Sequence, residues 1–199
     1  MKLIDAWLAL ANRLSRYAIW FAGALMLAAA FLVSFDVLVR KLLVISVGGA
    51  DELSGYAFAI GTSWALAFTL LQRANVRVDA LYIHLPPRVC AVLDLAAMLS
   101  LGIFVGLLTW QAWEVLDTSL AFNARATTPL QTPLWLPQSL WLAGLVLFAF
   151  TWTPLLLRSI LALSGGDLAG VRLLIGARSI EEDAADEITH ARHLKQQGS

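Results

Sequence analysis

The chain has 199 residues, of which 59% are hydrophobic and only 14% are charged, and its mean hydropathy is +0.74. A soluble domain carries about a quarter charged residues, so this composition excludes an ordinary soluble enzyme and indicates a membrane protein. The formal net charge is zero, which gives no basic surface for nucleic acid. The single cysteine, Cys90, excludes an internal disulfide and a cysteine-based metal cluster.

The first predicted element is an amphipathic helix. Apolar side chains recur at i, i+3 and i+4 spacing, and polar side chains take the opposite face. The apolar positions are Leu3, Ile4, Trp7, Leu8, Ala11 and Leu14. We predict that residues 1–16 form a separate helix lying in the membrane interface. The alternative is an extension of the first span, although Arg13 and Arg16 interrupt the apolar run.

Four long apolar blocks follow, each about the length of a bilayer span of roughly 20 residues. They are Tyr17–Val39, Leu53–Leu71, Val89–Leu116 and Leu134–Leu157. The predicted fold is therefore an all-α membrane protein with four transmembrane helices and an N-terminal interfacial amphipathic helix. Residues 17–160 form the membrane domain, and residues 161–199 form a cytoplasmic tail.

The Lys and Arg residues between the blocks predict the orientation. If the N-terminus is cytoplasmic, that side receives eleven of them and the opposite side three. The eleven are Lys2, Arg13, Arg16, Arg73, Arg77, Arg88, Arg158, Arg172, Arg178, Arg192 and Lys195; the three are Arg40, Lys41 and Arg125. Both termini are therefore predicted to be cytoplasmic.

Charged residues near the end of the first span form a candidate contact site. Asp36 and Arg40 are four residues apart, so they share a helix face and can pair. Glu52 opens the second span and could reach Arg40 across the short link. These charges could orient a helix hairpin, contact another subunit or, least favoured, couple to an ion.

Asp94 and Glu114 lie near opposite ends of the third span. They are 20 residues apart, or roughly 30 Å along a helix, so they cannot form one two-carboxylate site. Each is expected to reach an interface or a partner. Gly102 and Gly106 form a small-xxx-small face suited to close helix packing.

The links carry turn signals but no enzyme motif. Pro86-Pro87 should begin the third span, and the latter part of the link Asp117–Pro133 should be extended because of its Thr-Pro pairs. The acidic run Glu181–Glu187 is either solvated surface or a partner contact. No residue set points to catalysis, a cofactor or a metal, and His190 and His193 are expected to be solvated.

Several segments resemble the small membrane subunit of TRAP (tripartite ATP-independent periplasmic) transporters, the DctQ type. The resemblance covers roughly residues 15–160. Its segments are Asp36-Val37-Leu38-Val39-Arg40, Asp51-Glu52-Leu53-Ser54-Gly55-Tyr56, Arg73-Ala74-Asn75-Val76-Arg77-Val78-Asp79-Ala80-Leu81, Leu85-Pro86-Pro87-Arg88, and Thr127-Thr128-Pro129-Leu130-Gln131-Thr132-Pro133-Leu134-Trp135. One departure is Asn75, where the family often has His; Asn cannot titrate.

The resemblance implies a sodium-coupled importer of an organic acid in the bacterial inner membrane. Its partners would be a large membrane subunit that carries the substrate, a periplasmic binding protein and membrane lipids. This chain would act as a scaffold. A polar stripe for an independent transporter or channel is not found, and scattered carboxylates argue against an enzyme acting on lipid. A membrane anchor acting through the acidic tail is a further alternative.

The predicted site residues fall into three groups. We predict a subunit interface, a periplasmic docking site and a cytoplasmic loop. The interface residues are Asp36, Arg40, Glu52, Asp94 and Glu114; the docking residues are Arg40, Lys41 and Arg125; the loop residues are Arg73, Asn75, Arg77 and Asp79.

Overall fold

The computed structural model describes residues 2–43, 48–73 and 85–176. Within these ranges the chain forms five helices, four of which are long and apolar enough to cross a membrane. They are α1 (Lys2–Leu43), α2 (Ala50–Leu71), α3 (Pro87–Ala121), α4 (Trp135–Ser164) and α5 (Leu168–Ile175). The predicted all-α fold with four candidate spans is confirmed.

The prediction of a separate interfacial helix is wrong, because α1 is one continuous helix of 42 residues. Its buried positions Ala11, Ser15, Ala18 and Ala22 continue at i+3 and i+4 spacing across the predicted boundary. The amphipathic segment 1–16 and the apolar segment that follows it therefore have the same helical period and one continuous buried stripe. Arg13 and Arg16 do not interrupt the helix, because arginine is a good helix former.

The first turns of α1 pack against the end of α4. The Trp7 and Phe150 ring centroids are 5.4 Å apart, and Asp5 forms an ion pair with Arg158. Leu8 packs against the hydrophobic core. The apolar face of this segment is thus partly covered by protein.

Helix α4 is longer than its predicted span. It continues past Leu157 to Ser164 and contains Pro154 in its interior. Proline has no amide hydrogen, so the carbonyl of Phe150 loses its helical hydrogen bond. The beginning of α3 agrees with expectation, since Pro86 caps the helix at φ −65° and Pro87 occupies its first turn.

Helix α4 lies at the centre of the arrangement. The α1–α2 hairpin packs on one side of it, while α3 packs on another. The short helix α5 packs against both α3 and α4, and its residues Val171 and Ile175 belong to the hydrophobic core. Asp167 caps α5 by accepting a hydrogen bond from the amide of Gly170 at 2.8 Å.

Two tryptophans tether α4 to its neighbours by the same geometry. The indole N–H of Trp64 in α2 donates to the main-chain carbonyl of Leu140 in α4 at 2.8 Å. The indole N–H of Trp152 in α4 donates to the carbonyl of Met98 in α3 at 2.9 Å. In each case the residue four positions after the carbonyl is glycine, namely Gly144 and Gly102.

Glycine at this position uncovers the carbonyl. A helical Cβ points toward the N-terminus and covers the turn before it, so any larger residue would block the indole. A Cβ at Gly102 would lie 2.1 Å from Trp152, and one at Gly144 would lie 2.4 Å from the Ser63 hydroxyl and 2.7 Å from the Trp64 ring. Gly106 has open space around it. Of the predicted Gly102–Gly106 packing face, only Gly102 makes a close contact, and that contact is with the indole ring of Trp152.

Replacing Gly102 with Ala should destabilise the protein by about 1–3 kcal/mol, because the new methyl group displaces the Trp152 ring. The measurement is thermal unfolding of the purified protein in detergent. Gly106→Ala is the matched control, since it makes the same chemical change in the same helix without a clash. Equal unfolding midpoints for the two variants would contradict the assignment.

Candidate functional site

The charged residues of the described ranges gather at the two ends of the helix bundle. Four uncharged segments separate these ends: 17–35, 53–72, 95–113 and 135–157 contain no Asp, Glu, Lys, Arg or His. At one end, Arg158 pairs with Asp5; we call this the Arg158 end. At the other, Glu52 meets the α3–α4 link; we call this the Glu52 end.

At the Glu52 end, the ion pair expected from helical spacing is present. Asp36 is 2% exposed and accepts a hydrogen bond from the Arg40 guanidinium. Over half of the Arg40 side chain remains exposed, so the guanidinium neutralises the buried carboxylate while facing outward. Lys41 and Arg125 are also exposed at this end.

Glu52 joins the start of α2 to the α3–α4 link. Its carboxylate accepts hydrogen bonds from Tyr56 at 2.9 Å and from the hydroxyls of Thr128 and Thr132. These are its partners within the described residues, and the contact with Arg40 that the sequence allows is not among them. A carboxylate at a membrane boundary is costly unless donors surround it, and this set of hydroxyls meets that need.

The link is folded back on itself, with an antiparallel bridge between Arg125 and Pro133. The amide of Gln131 donates to the carbonyl of Thr128 at 3.0 Å, closing a turn with Pro129 at its second position. The amide of Ala126 donates to Thr132, also at 3.0 Å. The extended prediction therefore holds at the Arg125–Pro133 bridge and is wrong at residues 128–131, where proline favours the second position of a turn.

A glycine lets the link approach the α1–α2 hairpin. Gly49 has φ +94°, a left-handed conformation, and a Cβ there would lie 2.2 Å from the Leu130 side chain. Leu130 therefore packs directly over the turn that precedes α2. Together with the Glu52 contacts, this fixes the two links to each other.

The remaining predicted residues are not brought together. Asp94 is 1% exposed and lies inside this subunit, whereas Glu114 is exposed on α3. Arg73 follows α2 with φ +54° and is half-buried. Asn75, Arg77, Asp79 and the acidic tail lie outside the described residues. Within the described ranges, no three His, Cys, Asp or Glu side chains form a metal-binding group.

Sequence reasoning missed the partners of Glu52. Tyr56 could have been found, because it lies one helical turn after Glu52. Thr128 could not, because 76 residues separate it from Glu52 and only the folded bundle brings them together.

Thr128→Val should loosen the α3–α4 link, since it removes a hydrogen bond to a charged group, worth about 1.5–3 kcal/mol. Hydrogen–deuterium exchange at the amides of Ala126 and Leu134 should accelerate by about tenfold or more. The control is Thr127→Val, because Thr127 is exposed and adjacent. Unchanged exchange in the Thr128 variant would show that Glu52 does not hold the link.

Comparison with known proteins identifies the family of this chain. The model of the DctQ component of tripartite ATP-independent periplasmic transporters matches residues 29–162, about two thirds of the chain. The match includes the Asp36–Arg40 pair, the Glu52 contacts and both tryptophan tethers. No curated protein and no solved structure matches the chain. The family consists of transporter subunits, not enzymes. The chain belongs to the DctQ family, the small membrane subunits of TRAP transporters.

Proposed function

We propose that this subunit is a static brace for the large membrane component of its transporter. Family membership implies a tripartite complex with the DctM and DctP components. In the proposed division of labour, DctM carries the substrate and DctP delivers it. The present chain enlarges the unmoving part of DctM and fixes it in the bilayer.

The observation that supports this role most strongly is the distribution of polar groups. A substrate or ion pathway needs polar groups or carbonyls lining a passage. Here the four central segments lack charged residues, and the carbonyls of Leu140 and Met98 are occupied by indole N–H groups. The interior is suited to packing, not to conducting a solute.

The tethers also support a rigid subunit. Trp64 and Trp152 hold α4 to α2 and α3 by hydrogen bonds. In hydrocarbon, neither the indole N–H groups nor the carbonyls would have another hydrogen-bond partner. The Glu52 contacts fix the two links at one end, and the Asp5–Arg158 pair joins α1 to α4 at the other. A brace needs this kind of connection at several levels.

We further propose that the transporter imports an organic acid with sodium across a bacterial inner membrane. The support is the family, in which these properties belong to the whole complex. The Glu52 end then faces the periplasm, as the charge bias predicts. Its exposed Arg40, Lys41 and Arg125 are the candidate docking residues for the binding protein.

The brace proposal predicts that this chain is required for transport but is inactive alone. Purified chain in liposomes should show no sodium-dependent uptake of a panel of labelled carboxylic acids. Liposomes holding DctM and this chain, supplied with DctP, should show uptake, and omission of this chain should abolish it. Sodium-dependent uptake by the chain alone would overturn the proposal.

The predicted orientation can be tested separately. A phosphatase reporter that is active only in the periplasm should be inactive when fused after Ser199 and active when inserted in the α3–α4 link after Asn123. A green fluorescent protein fused after Ser199 should fluoresce, because it matures in the cytoplasm. The reverse pattern would place the Glu52 end in the cytoplasm.

A further inference from the structure

Helix α3 lies at the edge of the bundle. It packs on α4 and α5 along a narrow stripe of buried residues, Ala91, Met98, Val105 and Ala112, spaced seven residues apart. The opposite face is open. Phe104 and Leu107 are each 64% exposed there.

Two polar residues continue this open face. Phe104, Leu107, Gln111 and Glu114 follow one another at i+3 and i+4 spacing, so they form a single row, which we call the α3 row. Gln111 and Glu114 are both exposed. Within the described part of the chain, neither side chain forms a hydrogen bond or an ion pair. The α3 row thus combines large apolar side chains with exposed polar groups that have no partner within the described residues.

Glu114 and Asp117, which is exposed three residues later on α3, differ from the other described carboxylates at the Glu52 end. Asp36 is neutralised by Arg40, and Glu52 is bonded by three hydroxyls. Asp51 is exposed, but it lies in the first turn of α2, where the helix dipole and water stabilise a carboxylate. Glu114 instead lies on the side of α3, seven residues before the helix ends at Ala121.

The outward face of α1 has a different character. Trp20, Leu27 and Phe31 are 79%, 63% and 74% exposed, and no charged or amide side chain occurs between residues 17 and 35. This composition suits contact with lipid chains. Ionisable and amide groups on the side of a membrane helix, by contrast, usually face protein.

We propose that the α3 row is the surface on which a transmembrane helix of the large membrane component docks. That helix would present a cationic or hydrogen-bond-donating side chain at the level of Gln111 and Glu114, because desolvating a carboxylate requires a complementary partner. Phe104 and Leu107 would supply the apolar contact. This inference rests on the proposed function, since it names the face that the brace turns toward its partner.

Site-specific photo-crosslinking tests the proposal in cells that make the whole complex. A photoreactive phenylalanine analogue at Leu107 should crosslink to the large component. The same analogue at Phe31, the matched position on the α1 face, should not. A crosslink from Phe31 alone, or from Leu107 only to a second copy of this chain or to nothing, would overturn the proposal.

Charge reversal gives a second measurement. Glu114→Lys should reduce co-purification of the large component by about tenfold or more, whereas Asp51→Lys should leave it within about twofold. Thermal unfolding of each variant purified alone serves as the folding control. Equal co-purification of the two variants would contradict the role of Glu114.

The two proposals fail in different ways. If the unmodified chain co-purifies with the large component and supports uptake but Leu107 does not crosslink to it, the α3 row is wrong and the brace stands. If the unmodified chain binds the large component through Leu107 yet also transports alone, the brace fails and the docking surface stands. Absence of any complex overturns both.

Discussion

Hydrocarbon offers no hydrogen-bond partners, and this constraint governs where the chain can place its polar groups. The solution in this subunit has two parts. Charged side chains stand at the bundle ends, where other side chains or water meet them. Between the ends, two indole N–H groups donate to main-chain carbonyls of a neighbouring helix.

This use of carbonyls explains the central position of α4. The helix accepts one indole at Leu140 and sends another to Met98, so its register against both neighbours is set by directional contacts. Apolar packing alone sets register weakly in a membrane, because lipid chains compete equally well for the same surfaces. The glycine four residues beyond each acceptor makes the contact possible. The position of a glycine in one helix therefore depends on a tryptophan in another helix, which a pattern within one segment does not reveal.

Sequence reasoning was most successful where local composition decides the outcome. The four spans, the all-α fold and the Asp36–Arg40 pair follow from helix length and i, i+4 spacing. It failed at the start of α1, because an amphipathic and an apolar pattern with the same period merge into one helix. It also did not identify the partners of Glu52 and Gly102, because Thr128 and Trp152 are distant in sequence. Contacts between distant segments depend on how the helices pack, which no single stretch encodes.

The length of α1 has a consequence for the shape of the molecule. Its uncharged segment 17–35 measures roughly 28 Å and matches the hydrocarbon thickness, which leaves roughly 22 Å of helix, residues 2–16, beyond it. The last turns of α4 and the whole of α5 lie at this same level. Residues 2–16 therefore pack with the first turns of α3, the last turns of α4 and α5 at the Arg158 end of the bundle. The bundle is therefore longer at the Arg158 end than a bilayer crossing requires.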